Sequence, residues 1–202
     1  MAAVLAGFRP VKHLNGSPYN GQFNRYMISA SEAGVVNVGD LVALSDSAAL
    51  VDTAGFGVYP AVERIAVGTA AAIVGVVVGF EPDYSNLNAG MYHAASTRRV
   101  AYVMDSPDVL LAAPQDGVGG VVAAASVGLN VAVNLGTAST TAPYASGMNV
   151  DSSTVAATAT LPLQIMGITA SPDNDETSTS RPAEVLVRIN THQYGAAGLA
   201  GV

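Results

Sequence analysis

The sequence predicts an all-β protein, an antiparallel β-sandwich or barrel of jelly-roll-like type that follows an extended N-terminal arm. Straight-chain polar residues that favour helices are scarce, with one Lys, seven Arg, five Glu and four Gln among 202 residues. Several segments alternate apolar and polar residues with a period of two, which is typical of half-buried strands. Clusters of Pro, Asp, Asn and Gly separate these segments, as in folds built from many short strands.

The alternation is clearest in residues 183–190, where three β-branched side chains share one face and polar side chains occupy most of the other. The other predicted strands are Gln22–Ala30, Asp40–Leu44, Ala48–Asp52, Ile73–Phe80, Arg99–Met104, Val109–Ala113, Leu129–Asn134, Thr154–Ala159 and Leu161–Thr169. The turn residues 45–47 predict a hairpin between the strands on either side of them. A short helix is expected near Val121–Ser126, and the small polar residues 136–147 predict an exposed loop.

The charge is divided unevenly along the chain. Residues 1–25 contain Arg9, Lys12 and Arg25 and no acidic residue, whereas the remaining 177 residues carry five basic and fifteen acidic side chains. The first segment is also rich in Gly, Pro and Asn and lacks apolar periodicity, so it cannot fold alone. We therefore divide the chain into an extended arm, residues 1–25, and a single β-rich domain, residues 26–202.

Composition excludes several classes of function. A net charge of −7 with a single lysine argues against a nucleic-acid partner, because neutralising phosphates requires clustered Lys and Arg. The apolar runs 65–80 and 118–135 are too short or too interrupted for a membrane span, so no membrane partner is expected. The absence of cysteine excludes disulfides and thiolate metal sites. Charged residues make up only 11% of the chain, which favours burial of surface between subunits or, equally, an alanine-rich surface.

The residues that could carry chemistry form no convincing site. His13, His93 and His192 have no second histidine at ligand spacing, and we interpret them as surface or interface residues. Residues 173–184 place carboxylates at three positions of a calcium loop but lack its glycine, so a solvated acidic turn is the simpler interpretation. Asp105 and Asp108 could form a carboxylate pair, although turn capping by Asp105 is the more common role. We expect no enzyme activity, no cofactor and no metal.

Short segments along most of the chain resemble a family of structural proteins of tailed bacteriophages, the capsid decoration or cement proteins. These segments are Gly7–Val11, His13–Gly16, Tyr19–Gln22, Val38–Val42, Gly75–Pro82, Asp105–Val109, Ser171–Asn174 and Val187–Tyr194. The resemblance implies a virion protein on the outer surface of the capsid, whose partner is the major capsid protein. It also implies self-association as a dimer or trimer, between which the sequence does not choose.

The resemblance and the charge division together give a hypothesis about individual residues. We expect Arg9, Lys12, His13, Tyr19 and Arg25 to face the capsid shell or a sister subunit, and deletion of residues 2–20 to leave the body folded. In the competing interpretation, the arm packs on its own body as an edge strand. The alternative functions are another virion component, such as a head-fibre base or a tail or adhesion protein, and, with less support, a carbohydrate-active β-sandwich enzyme.

Overall fold

The structure, a computed structural model, describes residues 7–45, 50–51, 57–66, 68–84, 86–169 and 183–195, and it confirms the all-β class. The strands are β1 (Arg9–His13), β2 (Asn24–Ile28), β3 (Val36–Asn37), β4 (Leu41–Leu44), β5 (Leu50–Val51), β6 (Val58–Tyr59), β7 (Ala61–Arg64), β8 (Gly75–Phe80), β9 (Tyr92–His93), β10 (Arg99–Met104), β11 (Val109–Ala113), β12 (Asn130–Asn134), β13 (Asn149–Ala156), β14 (Leu163–Ile168) and β15 (Val185–Ile189). Eleven of them form a closed five-stranded barrel and a six-stranded sheet, where a jelly roll would have two facing sheets, and the other four form the small sheets β3-β9 and β5-β6.

Five strands close the barrel in the order β10-β2-β7-β4-β8. Its neighbouring strands are antiparallel except for β2 and β7, which run parallel and pair Met27 with Ala61. The barrel interior is filled by buried aliphatic and aromatic side chains, among them Tyr26, Val42 and Val77. Closure satisfies the backbone hydrogen bonds that an open edge would leave unpaired.

Six strands form the second layer, an antiparallel sheet in the order β1-β11-β15-β14-β12-β13. The sheet is strongly curled, because the segment that follows β11 meets β13: the Val150 amide donates to the Pro114 carbonyl over 2.9 Å, and Gln115 forms a parallel bridge with Val150. The concave side holds the main core, in which Leu111, Leu163 and Val187 are buried.

Strands β4, β8 and β10 join the two layers. Successive residues point alternately into the barrel and toward the sheet, so that Val76 belongs to the main core and Val77 to the barrel core. On β10, Met104 likewise belongs to the main core and Val103 to the barrel core. Burial on both faces explains why residues 73–80 form an unbroken apolar run instead of an alternating one.

The local predictions have mixed outcomes. All ten predicted strands overlap strands of the structure, but the hairpin through residues 45–47 is wrong, because β4 pairs with β7 and β8 whereas β5 pairs with β6. The Ser45 amide donates to the Ala61 carbonyl and so extends the β4–β7 ladder. The expected helix near residues 121–126 is only a 3₁₀ turn, Ala124–Ser126, without a side-chain cap. Short strands β3, β6, β7 and β9 were not predicted.

The described part of the N-terminal segment packs on the body, as in the competing interpretation. Strand β1 is an edge strand of the sheet and pairs with β11, and Phe8 just before it is 1% exposed in the main core. Residue 25 lies inside β2 of the barrel. Deleting residues 2–20 would therefore remove a strand and a core side chain and destabilise the body, contrary to the expectation from sequence that the body stays folded.

Candidate interaction surface

Strand β1 carries the first three predicted contact residues. The Arg9 guanidinium forms an ion pair with Glu184, which lies just before β15. Val11 lies at a bulge in the pairing with β11, and Lys12 after it is half-buried. The outer edge of β1 is partly covered by the chain that follows, because the His13 amide donates to the Ser17 carbonyl over 2.8 Å and the Tyr19 amide to the Val11 carbonyl over 3.0 Å. Arg9 and His13 thus lie at opposite ends of the strand.

Tyr19 is held in place by its own loop. Its hydroxyl donates to the Gln22 carbonyl over 2.6 Å, and its half-buried ring packs against the main core. Burial raises the pKa of the Tyr19 hydroxyl, so this group remains protonated at neutral pH. Tyr19 and His13 line one side of a common cleft.

Arg25 lies on β2, on the outside of the barrel. Its guanidinium is 3.8 Å from the Glu81 carboxylate and donates to the Tyr59 hydroxyl over 3.4 Å. The bond to Tyr59, followed by the charge of Glu81, raises the pKa of Arg25. In the β2–β10 ladder Arg25 is directly opposite Tyr102, whose ring stacks on Phe23 with a centroid distance of 4.5 Å.

These contacts build one exposed surface, which we call the aromatic surface and define by Phe23, Arg25, Tyr59 and Tyr102. Phe23 is 47% exposed although it is a large apolar residue. Aromatic residues and arginine are the types enriched at the centre of protein–protein interfaces. Of the predicted contact residues the aromatic surface contains Arg25 alone.

Beside the aromatic surface lies the cleft that His13 and Tyr19 border, which we call the Asp105 cleft. Its volume is about 320 Å³, and its lining residues are His13, Tyr19, Gln22, Phe23, Asn24, Met104, Asp105, Ser106 and Val109. Asp105 accepts hydrogen bonds from the Asn24 amide nitrogen, at 3.0 and 2.9 Å, and from the Tyr26 hydroxyl, at 2.6 Å. Burial, followed by the bond to Asp105, raises the pKa of Tyr26.

The other candidates for chemistry have different outcomes. Asp108 is exposed, and no described bond joins it to Asp105 as a carboxylate pair. The interpretation of all three histidines as surface or interface residues is wrong for His93 and His192, which are buried within the chain itself, and burial lowers the pKa of both. Almost all of the candidate calcium loop, 173–184, lies outside the described residues.

The described part of the chain contains neither a cluster of metal-ligating side chains nor a membrane-spanning helix. Among these residues, no group of three His, Asp or Glu side chains is arranged to hold a metal ion. The same residues contain no helix with the length and apolar character that crossing a bilayer requires.

Sequence reasoning placed Tyr19 and Arg25 among the contact residues but missed Phe23, Tyr59 and Tyr102. An alternation of Phe23 and Arg25 along a predicted strand was the available local signal. Comparisons with family models, with curated proteins and with solved structures found no match to this chain.

Proposed function

We propose that the chain is a bacteriophage virion structural protein, a capsid decoration or cement protein. In this role it binds the lattice of the major capsid protein at junctions between capsomers, on the outside of the head, and associates with further copies of itself as a dimer or trimer. The observation that carries the proposal furthest is the aromatic surface, in which the exposed Phe23 and Arg25 contact the half-buried Tyr102 and Tyr59.

The composition of this surface suits protein binding. Tyrosine and arginine dominate the energetics of many interfaces, since they combine a large contact area with directed hydrogen bonds. Stacking of Phe23 on Tyr102 and bonding of Arg25 to Tyr59 hold the side chains in place before a partner arrives. Less conformational entropy is then lost on binding, which favours affinity.

The proposed role in stabilising the head follows from the coupling between binding of this protein and assembly of the shell. A protein that binds the assembled shell and not the separated subunits stabilises the shell by its binding free energy. Many copies act on one head, so that modest contacts at each site suffice. The small share of charged residues and the resemblance of segments such as Gly7–Val11 and Gly75–Pro82 support this class of protein.

The test is binding of purified chain to phage heads that lack it, measured by sedimentation of heads with bound protein. We expect Arg25→Ala to weaken binding at least about 30-fold, the effect of losing a residue worth about 2 kcal/mol at an interface centre. Arg98→Ala is the matched control, because Arg98 is an exposed arginine that directly precedes β10 and is not one of the residues that define the aromatic surface. Equal binding by the two variants would show that the aromatic surface is not the contact.

A further inference from the structure

The Asp105 cleft has an unusual balance of charge. Asp105 is half-buried in it and accepts hydrogen bonds from Asn24 and Tyr26, which are both neutral donors. The ion pairs between two described residues join Arg9 to Glu184, Arg25 to Glu81 and Arg64 to Asp40, so none of them involves Asp105. The carboxylate therefore has no ion-pair partner among the described residues. The buried ring of His192 interacts with it electrostatically, but burial lowers the pKa of His192 and so disfavours the cationic form of the ring.

The walls of the cleft are aromatic and fixed. Phe23 is stacked on Tyr102, and Tyr19 is tied to the Gln22 carbonyl. The negative faces of aromatic rings attract cations, and this attraction is larger where the cation is partly removed from water. A cleft lined by a carboxylate and two aromatic side chains therefore favours a positive group over a neutral one.

The dimensions of the cleft limit what can enter it. Its volume of about 320 Å³ lies at the lower end of the roughly 300–1,000 Å³ seen for small-molecule sites. Met104 and Val109 add apolar surface to the lining, against which the methylene stem of a long side chain can pack. A single cationic side chain fits this combination of charge and apolar wall.

We propose that the Asp105 cleft binds a lysine or arginine side chain of a partner protein, with the cation against the Asp105 carboxylate and the stem against the aromatic walls. That the partner is the capsid shell protein rests on the proposed function, whereas the chemistry of the cleft does not. The Asp105 carboxylate accepts hydrogen bonds from Asn24 and Tyr26 and still has a lone pair that can accept one from such a cation.

The experiment is a nuclear magnetic resonance titration of the isolated full chain at pH 7.5, where imidazole groups are ordinarily neutral. The probes are Nα-acetyl-lysine methylamide and Nα-acetyl-arginine methylamide, followed at the Asn24 side-chain amide and the Ser106 backbone amide. We expect saturable shifts at these two positions with a Kd of about 1–20 mM. Nα-acetyl-norleucine methylamide has an apolar chain without the ammonium group, and we expect no saturable shift with it.

Two variants test whether binding of the cationic probes depends on the Asp105 carboxylate and on the aromatic ring of Phe23. Asp105→Asn keeps an oxygen to accept the Tyr26 hydroxyl but removes the charge, and we expect it to weaken probe binding at least about tenfold. Phe23→Leu keeps apolar bulk without the ring and is expected to weaken binding severalfold. Asp108→Asn is the matched control, since Asp108 is an exposed acid in the same turn region, and its Kd should stay within twofold of the original chain.

The proposal is overturned if the norleucine probe binds as well as the lysine probe, if Asp105→Asn binds the cationic probes unchanged, or if neither cationic probe gives saturable shifts. Saturable binding of a neutral sugar such as methyl glucoside in place of the cations would also overturn it. The titration needs no phage heads, so failure of head binding contradicts the proposed function alone, and failure of the titration contradicts the cationic ligand alone.

Discussion

Substitution of Arg64 tests the network of buried charge that ties the barrel to the chain around residues 135–146. Asp40 is 0% exposed, and its Oδ2 accepts hydrogen bonds from Arg64 Nε over 3.1 Å and from the Asn37 amide over 2.9 Å. The Ser146 hydroxyl donates to Oδ1, and Arg64 also donates to the Leu135 carbonyl. Burial raises the pKa of Asp40, and the charge of Arg64 opposes that rise. The charge of Arg64 therefore lowers the free-energy cost of burying an ionised Asp40.

The substitution is Arg64→Met, which keeps most of the side-chain stem and removes the charge. Removing one partner of a buried pair leaves the other charge uncompensated and costs about 3–5 kcal/mol. For a chain of this length each kcal/mol corresponds to roughly 2–4 °C, so the melting temperature should fall by about 6–20 °C. In the double variant Arg64→Met with Asp40→Asn, the neutral amide replaces the buried charge, and part of the loss should be recovered.

The assay is urea unfolding of each variant at pH 7 and at pH 4.5. Because burial raises the pKa of Asp40 in the folded state, its contribution to stability is fully present below the unfolded pKa and is lost as pH rises through the folded pKa. The loss in free energy of unfolding caused by Arg64→Met should therefore become smaller on acidification, because Asp40 becomes neutral. A loss below about 1 kcal/mol at pH 7, or a defect that grows toward pH 4.5, would refute the reasoning.

Two further predictions concern close packing and acid sensitivity. A Cβ at Gly75 would lie 2.0 Å from the Met104 carbonyl oxygen, so Gly75→Ala should cost at least about 2 kcal/mol in urea unfolding. Gly167→Ala, with nothing within 4 Å of its Cβ, should stay within about 1 kcal/mol; similar losses in both would contradict the packing. Burial lowers the pKa of His93, so its contribution to stability is present above the unfolded pKa and is lost as pH falls. His93→Gln should reduce the fall in stability between pH 7 and pH 5, and an unchanged slope would exclude His93 as a cause.

The strands that the sequence predicts well are those with apolar residues on both faces. The predicted bounds of Arg99–Met104 and Val109–Ala113 are those of β10 and β11. All five side chains of β11 are buried, and in β10 only Arg99 and Tyr102 are partly exposed. Short apolar runs bounded by turn residues indicate buried strands. Their partners, however, depend on residues far away in the chain, and nothing local indicates the parallel pairing of β2 with β7 that closes the barrel.

Strand β1 illustrates why the N-terminal segment was predicted to be an arm. Pro10 cannot donate a backbone hydrogen bond, a bulge interrupts the ladder next to it, and the exposed edge requires no alternation. Among the described residues of the N-terminal segment the fully buried apolar side chain is that of Phe8, which composition cannot distinguish from an exposed one. Contact of Arg9, Lys12, His13, Tyr19 and Arg25 with a shell or a sister subunit stays a prediction.

The loop 136–147 was predicted to be exposed because its residues are small and polar. Gly136 and Thr137 are exposed, but Asn37 holds the middle of the loop: its side-chain nitrogen donates to the Ser139 carbonyl over 2.8 Å and to the Tyr144 carbonyl over 3.0 Å. In the sequence, nothing distinguishes Asn37 from an asparagine in an ordinary turn. Long-range bonds from one buried amide therefore order a segment whose own composition indicates none.

The aromatic surface shows the same limit for function. Phe23 and Tyr102 come together only because β2 pairs with β10, and Tyr59 reaches Arg25 from a separate strand. The sequence supplies the residue types, and the barrel brings them to one place. A functional surface assembled across strands is therefore visible only after the pairing is known.

The number of copies of this protein in an intact phage head tests the central claim most directly. Quantitative mass spectrometry of purified particles should find the chain in copies comparable to those of the shell protein, because a cement protein occupies the repeated junctions of the lattice. A few copies in each particle would contradict this account and favour a tail or fibre component, and complete absence from particles would exclude any virion role.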